Sequence, residues 1–181
     1  MAVVECRDQG AVRVITLNRP DQLNALNTET LVAMRAALAD AAHDSGVRCL
    51  VLTGAGRGFC AGADVDEWAS KKETPPEHDW VAEATAMVQE LHALSVPTLA
   101  MIDGAAVGAG LDLALACDFR LATARSKFIC AYTNIGYPPD CGGSWLMPRI
   151  IGLEAAKRFA YTGEVWNGEM ALAKGLISEL H

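Results

Sequence analysis

Two carboxylates and two runs of small residues are the parts of this chain that could do chemistry. Asp140 sits in "GYPPDCGGSW", between a diproline and a diglycine and just ahead of an apolar, helix-like run. Proline stiffens the approach and glycine lets backbone pass close to a bound molecule, so such a loop can hold one carboxylate firmly. The plain alternative is a solvated Asp in a surface turn, where Asp, Gly and Pro are common. Asp112, in "GAGLDLALACD", stands near the start of a stretch that is apolar on nearly every side. An Asp there serves as a helix cap or a hydrogen-bonded structural group as readily as an acid.

The small-residue runs are "TGAGRGFCAGADVDEW" and "IDGAAVGAGLDL", each following a short apolar segment. The spacing Gly54-x-Gly56-x-Gly58 is not the dinucleotide pattern G-x-G-x-x-G, and Phe59-Cys60 falls where a helix should open. Small side chains instead let a ligand reach backbone N–H groups, and the second run opens a helix whose first N–H groups favour developing negative charge. Two such loops after neighbouring strands could converge on one oxygen, as an oxyanion hole for a thioester or ester carbonyl. Close helix packing on glycine is the competing explanation.

These residues need a scaffold, and the periodicities supply one. "VVECRDQGAVRVITLN" reads as a hairpin turning at Asp8-Gln9-Gly10, with Val12 and Val14 apolar and then, after a shift, Ile15 and Leu17. From Asn27 to about His43, Leu31, Met34, Leu38 and Ala41 recur at helical spacing, with Asn27 or Thr28 as cap and Gly46 as a stop. "RCLVLTG" and "TLAMID" are short continuous apolar runs, as expected of strands buried on both faces. Between them Val81, Ala84, Met87, Val88, Leu91 and Leu94 line a second amphipathic helix expected to end at Pro97. A buried helix over 108–118, short strands near 119–122 and 127–130, and helices near 144–151, 153–161 and 167–173, the last capped by Gly175, complete an α/β pattern. Two strand, glycine-loop, helix units of similar layout suggest stacked ββα turns.

Composition narrows the function classes. The chain of 181 residues is 51% apolar and 20% charged, enough for one well-buried domain. A formal net charge of −7 with no basic cluster longer than Lys71-Lys72 argues against nucleic acid and anionic membrane as partners. Glu5, Arg7 and Asp8 interrupt the apolar start, so no signal-peptide core is present and a cytoplasmic protein is expected. The run from Pro97 to Cys117 has the length of a membrane span, but Asp103 and Asp112 lie inside it. Six scattered cysteines without C-x-x-C, and no His cluster at ligand spacing, predict neither a disulfide framework nor a metal site. Cys130 and Cys141 flank the presumed site but have no neighbouring His to make a nucleophile, and the four histidines are assigned no role.

Taken together and in order, "NRPDQLNALN", "FCAGADVDEW", "DGAAVGAGLDLALACDFRLATARSKF" and "IGYPPDCGGSWLMPRIIG" resemble the enoyl-CoA hydratase/isomerase, or crotonase, family. The resemblance runs from about residue 3 to the end. It implies a crotonase-like spiral of ββα turns, with residues 1–181 as one acyl-CoA-binding domain. It also implies homotrimers or dimers of trimers built by a C-terminal helical segment that this sequence lacks, which points to truncation after His181 or an unusually short subunit. Coenzyme A would be part of the substrate, with no separate cofactor. By motif position the oxyanion donors look like the N–H groups of Ala61 and Ala109. Ala61, Gly62, Ala63, Asp64 and Val65 would lie along the coenzyme A moiety, and Ala25, Gly108, Ala109, Tyr132 and Pro139 would complete the substrate contacts. Gln22 and Leu23 stand where a Lys or Arg often contacts a coenzyme A phosphate, leaving Arg19, Arg57 and Lys71 as substitutes.

Departures from the family pattern carry the expectation about chemistry. Hydratases of the family use two glutamates; here Asp112 stands at the first position and Tyr132 at the second. Tyrosine, with an ordinary pKa of about 10, is a poor substitute for a carboxylate base, so Tyr132 is expected to line the pocket or bond to substrate. Asp140 matches a position where dienoyl-CoA isomerases and ring-modifying acyl-CoA isomerases carry an active Asp. Its surrounding motif is most similar to the isomerases of phenylacetyl-CoA-derived epoxides. The expected function is an acyl-CoA isomerase that moves a double bond or rearranges a ring, with Asp140 as acid/base. The alternatives are hydration through Asp112 and Asp140, a hydrolytic variant, or a non-catalytic acyl-CoA-binding subunit.

Overall fold

The computed structural model describes residues 2–70 and 79–181. The expected hairpin opens the chain, β1 (Val4–Gln9) pairing antiparallel with β2 (Val12–Leu17). Its apolar pattern needs no shift: Arg13, Ile15 and Leu17 form the buried face in unbroken alternation, and Arg13 disguises the pattern because it is a charged residue pointing inward.

α1 (Thr28–His43) starts at Asn27, whose side chain accepts from the Thr30 N–H at 2.9 Å, and buries Leu31, Met34, Leu38 and Ala41 as its spacing predicts. β3 (Cys49–Gly54) and α2 (Val65–Ser70) follow. α3 (Trp80–His92) is capped by the Asp79 carboxylate and stops before Leu94, earlier than the Pro97 boundary expected from sequence. The apolar run 97–117 resolves into β4 (Thr98–Ile102), β5 (Ala105–Val107) and α4 (Ala109–Ala116), the helix buried along its whole length. No described helix is long and apolar enough to cross a membrane. The chain continues through β6 (Phe119–Ala122), β7 (Lys127–Ile129), a 3₁₀ turn at Ala131–Ile135, α5 (Gly143–Ile151), α6 (Leu153–Thr162), β8 (Val165–Asn167), α7 (Gly168–Ala173) and β9 (Glu179–Leu180).

The large sheet has the order β1-β2-β3-β4-β6-β9, parallel apart from the opening hairpin. The small sheet has the order β5-β7-β8, and Cys60 extends it by a bridge to Ala106, which in turn pairs with Phe128. Successive turns of chain thus give a strand to the large sheet and a residue or short strand to the small one: β3 with Cys60, β4 with β5, β6 with β7. This is a spiral of ββα turns. α1 packs on α3, α3 on α4 and α4 on α5, closing one continuous apolar cluster.

Candidate active site

Parallel strands bring their carboxyl ends to one edge of a sheet, and ligands of open α/β sheets collect there. The segments that follow β3 and β4 are sewn together at that edge. Leu26 N–H donates to the Gly62 carbonyl at 2.7 Å and Asp64 N–H to the Leu26 carbonyl at 3.0 Å. Val107 N–H donates to the Cys60 carbonyl at 3.0 Å, and Cys60 N–H to the Ala105 carbonyl at 2.9 Å. Gly62 makes the close approach possible: its φ is +90°, and a Cβ there would stand 2.7 Å from the Val107 carbonyl oxygen and 3.6 Å from the Ala109 nitrogen. The two small-residue runs therefore meet, as their composition suggested.

Between them lies a cavity of about 180 Å³ whose wall includes Ala61, Gly62, Ala63, Val65, Gly108, Ala109, Tyr132 and Asp140. Eight of the sequence-derived site residues thus share one pocket. Ala25, Asp64, Pro139 and Asp112 do not line it. Ala25 is buried, and its carbonyl accepts from the Arg19 guanidinium at 2.6 Å. Asp64 is tied to Arg19 at 2.8 Å; burial raises its pKa, but the Arg19 hydrogen bond, with the Glu67 and Asp66 N–H groups, more than reverses that and leaves it lowered. Arg19 is thereby spent on Asp64 and Ala25. Arg57 is exposed, and Lys71, like His78, lies outside the described residues.

One oxyanion assignment needs correcting. The Ala61 N–H, expected to face the ligand, donates to the Leu23 carbonyl at 3.0 Å. Two residues on, Ala63 N–H makes no hydrogen bond among the described residues, and Ala109 N–H opens α4, where a helix has no internal acceptor for it. Ala63 and Ala109, both in the wall, are the pair with N–H groups to offer. Residues 61–65 alone could not reveal this, because the difference depends on which N–H the Leu23 carbonyl captures.

Asp140 is the one carboxylate in the described cavity wall. Its loop is anchored by Thr85, whose hydroxyl donates to the Asp140 carbonyl at 3.1 Å, and the Cys141 thiol points at its Oδ1 at 3.5 Å. Asp112 is fully buried behind the wall; its Oδ2 lies 2.7 Å from Tyr132 Oη, close enough to share a hydrogen bond, and its Oδ1 has no hydrogen-bond partner. A Cβ on Gly143 would stand 2.1 Å from that oxygen, so only glycine fits where α5 begins. Burial pushes the Asp112 carboxyl up to about 7, against the pull of Tyr132 and the nearby Gly143 N–H and with the help of the negative Asp140. Tyr132 is itself pushed far up by burial and by Asp112, so it stays a phenol. Burial likewise pushes Cys130 to about 12 and Cys141 upward, which keeps both as inert thiols.

Sequence spacing also missed part of the wall. Trp80 reaches it from the start of α3, its indole N–H donating to the Leu26 carbonyl at 3.3 Å, and Asn134, Ile135 and Tyr137 reach it from the 3₁₀ turn and the loop after it. Tyr137 in "GYPPD" was open to notice; Trp80 follows a polar link that carries no register. Among the described residues no group of three or more His, Cys, Asp and Glu is arranged to hold a metal ion.

A family model for enoyl-CoA hydratase/isomerase matches residues 7–181. The chain belongs to the enoyl-CoA hydratase/isomerase family. It is 38% identical over 169 residues to an Escherichia coli protein named 1,2-epoxyphenylacetyl-CoA isomerase, covering 92% of this chain and 64% of that one. It is 33% identical over 173 residues to a Clostridium acetobutylicum short-chain-enoyl-CoA hydratase, covering 95% of this chain and 66% of that one. The chain thus spans less than two thirds of the length of these relatives. Among solved structures, an enoyl-CoA hydratase from Bacillus anthracis superposes with a TM-score of 0.94 at 32% identity, covering 99% of this chain and 70% of that one. The match of fold to other crotonase-type structures is therefore close along the whole chain.

Proposed function

We propose that this family member acts on an acyl-CoA thioester as an isomerase, with Asp140 as the group that removes a proton and returns it. The observation that carries this is the pairing of one wall carboxylate, Asp140, with two backbone N–H groups, of Ala63 and Ala109, that have no acceptor in the described protein. Bound by its carbonyl oxygen to those N–H groups, a thioester loses an α or vinylogous γ proton more readily, because the resulting enolate oxygen sits against preorganised donors. Asp140 takes the proton, the C–H electron pair moves into the enolate, and the same carboxyl delivers the proton to another carbon as the electrons return. Atoms and charge balance with no oxidant or co-reactant. Hydration through Asp112 and Asp140 finds less support, since Asp112 lies behind the wall. A binding-only subunit would have no use for a carboxylate beside two donor N–H groups. Assembly into trimers or dimers of trimers and a cytoplasmic location go with the same proposal.

The test is incubation of the protein with a panel of acyl-CoA thioesters in normal and heavy water, read by mass spectrometry. Deuterium should enter α or γ positions of a substrate that the protein isomerises. Asp140→Asn should keep thioester binding and lose about 10²–10⁴ in rate. Full activity in Asp140→Asn, or a hydrated product that depends on Asp112 alone, overturns the assignment.

A further inference from the structure

One polar contact behind the cavity has no part in the steps above. Asp112 Oδ2 and Tyr132 Oη lie 2.7 Å apart, and a single proton occupies the line between them. Two arrangements fit that distance. In one, Asp112 is ionised and accepts the phenol proton; in the other, Asp112 is a neutral acid and donates to the phenol oxygen. The surroundings separate them. Asp112 is 0% exposed and its Oδ1 has no partner, and a buried carboxylate with a bare oxygen is far costlier than a neutral acid whose carbonyl oxygen is bare. The groups that act on it are Tyr132 from the 3₁₀ turn, Asp140 from the loop before α5 and the Gly143 N–H at the start of α5, and none is a cation. Cys130 and Cys141, which also feel Asp112, are neutral thiols. The elevated pKa of Asp112 agrees with the neutral form.

Tyr132 differs from Asp112 in its place relative to the cavity. It lines the cavity, and its Cζ, the ring carbon bearing the hydroxyl, lies 4.0 Å from the place a Cβ on Gly108 would take, beside the Ala109 N–H. We propose that Asp112 is a positioning residue that gives its proton to Tyr132 and so turns the Tyr132 hydroxyl proton into the cavity, where it selects acyl groups bearing an oxygen acceptor in addition to the thioester. Most of the rest of the wall is apolar, so a ligand without that oxygen leaves the hydroxyl unpaired and is disfavoured. This inference rests on the acyl-CoA assignment above.

The experiment is titration calorimetry with two unreactive thioesters of matched chain length, a saturated acyl-CoA and its counterpart with an ether oxygen in the chain. Near pH 6 the protein should bind the oxygenated ligand about 10- to 100-fold more tightly. That preference should fade as the pH rises through about 7, because ionised Asp112 draws the phenol proton back. Tyr132→Phe should abolish the preference at every pH. Asp112→Asn, whose amide can donate to the phenol oxygen as the neutral acid does, should keep the preference and lose its pH dependence. A second readout is independent of ligand: infrared difference spectra of the wild type should show a protonated carboxyl titrating near pH 7 that Asp112→Asn lacks. Binding of both thioesters without preference, a preference that survives Tyr132→Phe, or absence of the protonated carboxyl overturns this inference and leaves the acyl-CoA assignment standing. Failure to bind either thioester overturns both.

Discussion

Arg13 at the start of β2 and Asp112 inside α4 are both buried residues of charged type, at opposite ends of the parallel strands, and the fold provides for them in opposite ways. Arg13 bonds two oxygens of Asp8, at 2.8 and 2.9 Å, and single oxygens of Asp40, at 2.5 Å, and Asp44, at 2.9 Å. Its charge is surrounded by countercharge that water also reaches. Asp112 has one neutral partner and one bare oxygen. Buried polar groups in native proteins are almost always satisfied, and the exceptions gather at functional sites, where local rules are broken and compensated elsewhere. The Arg13 end holds the hairpin to α1; the Asp112 end keeps a proton next to a cavity.

If that contrast is sound, substitutions at the cavity end should reach function before stability, and substitutions at the Arg13 end the reverse. The loss of about 10²–10⁴ in rate expected for Asp140→Asn is the largest effect on the cavity side. Next comes Ala109→Pro, which deletes one oxyanion donor and should lower kcat about 10²–10³. Ala109 is the first residue of α4, a position where proline costs a helix little, so the melting temperature should stay near that of the wild type. A folded Ala109→Pro protein with wild-type turnover would remove Ala109 from the oxyanion pair.

Arg13→Met reverses the pattern. It leaves the Asp8, Asp40 and Asp44 carboxylates facing one another without a cation. Those three are 51%, 75% and 42% exposed, so water screens much of the repulsion. Loss of the buried guanidinium's bonds should still lower the unfolding free energy, read by urea titration, by about 1–2 kcal/mol, less in high salt, with turnover per folded molecule unchanged. A change in kcat would mean that the two ends of the sheet are coupled.

What the sequence disclosed follows from how local each signal is. The Asn27 cap, the apolar stripe of α1 and the continuous runs of β3 and β4 depend on neighbours a few residues away, and each appears where its periodicity places it. β5, β8 and β9 are two or three residues long and exist through partners far along the chain, so no window of sequence contains them. The same distinction runs through the site. The convergence of the two small-residue runs and the place of Asp140 in the wall were legible in composition and motif. That Ala63 and not Ala61 has a spare N–H depends on Leu23, and that Asp112 is sealed behind Tyr132 depends on how α5 seats Gly143 against it.

The pH dependence of stability is the sharpest test of the contrast, because the two ends should respond to pH in different windows. Asp112 has a folded pKa of about 7, raised from an ordinary value of 3.8. Between roughly pH 4 and 7 the native state therefore holds a proton that the unfolded chain has released, and stability falls as pH rises through that window, by at most about 1.4 kcal/mol per unit. Above 7 both states are ionised and this contribution is flat. Asp8 is shifted the other way, held below the ordinary carboxylate value by its hydrogen bond to Arg13. Its contribution is present throughout the window from pH 4 to 7 and is lost only as pH falls through its lowered folded value. Urea unfolding at pH 5, 6 and 7 should accordingly show a decline that Asp112→Asn removes and Arg13→Met leaves in place. A wild-type curve that is level from pH 5 to 7 would show that the buried carboxyl of α4 is ionised throughout, and a decline that vanishes with Arg13→Met would place the titrating group at the other end of the sheet.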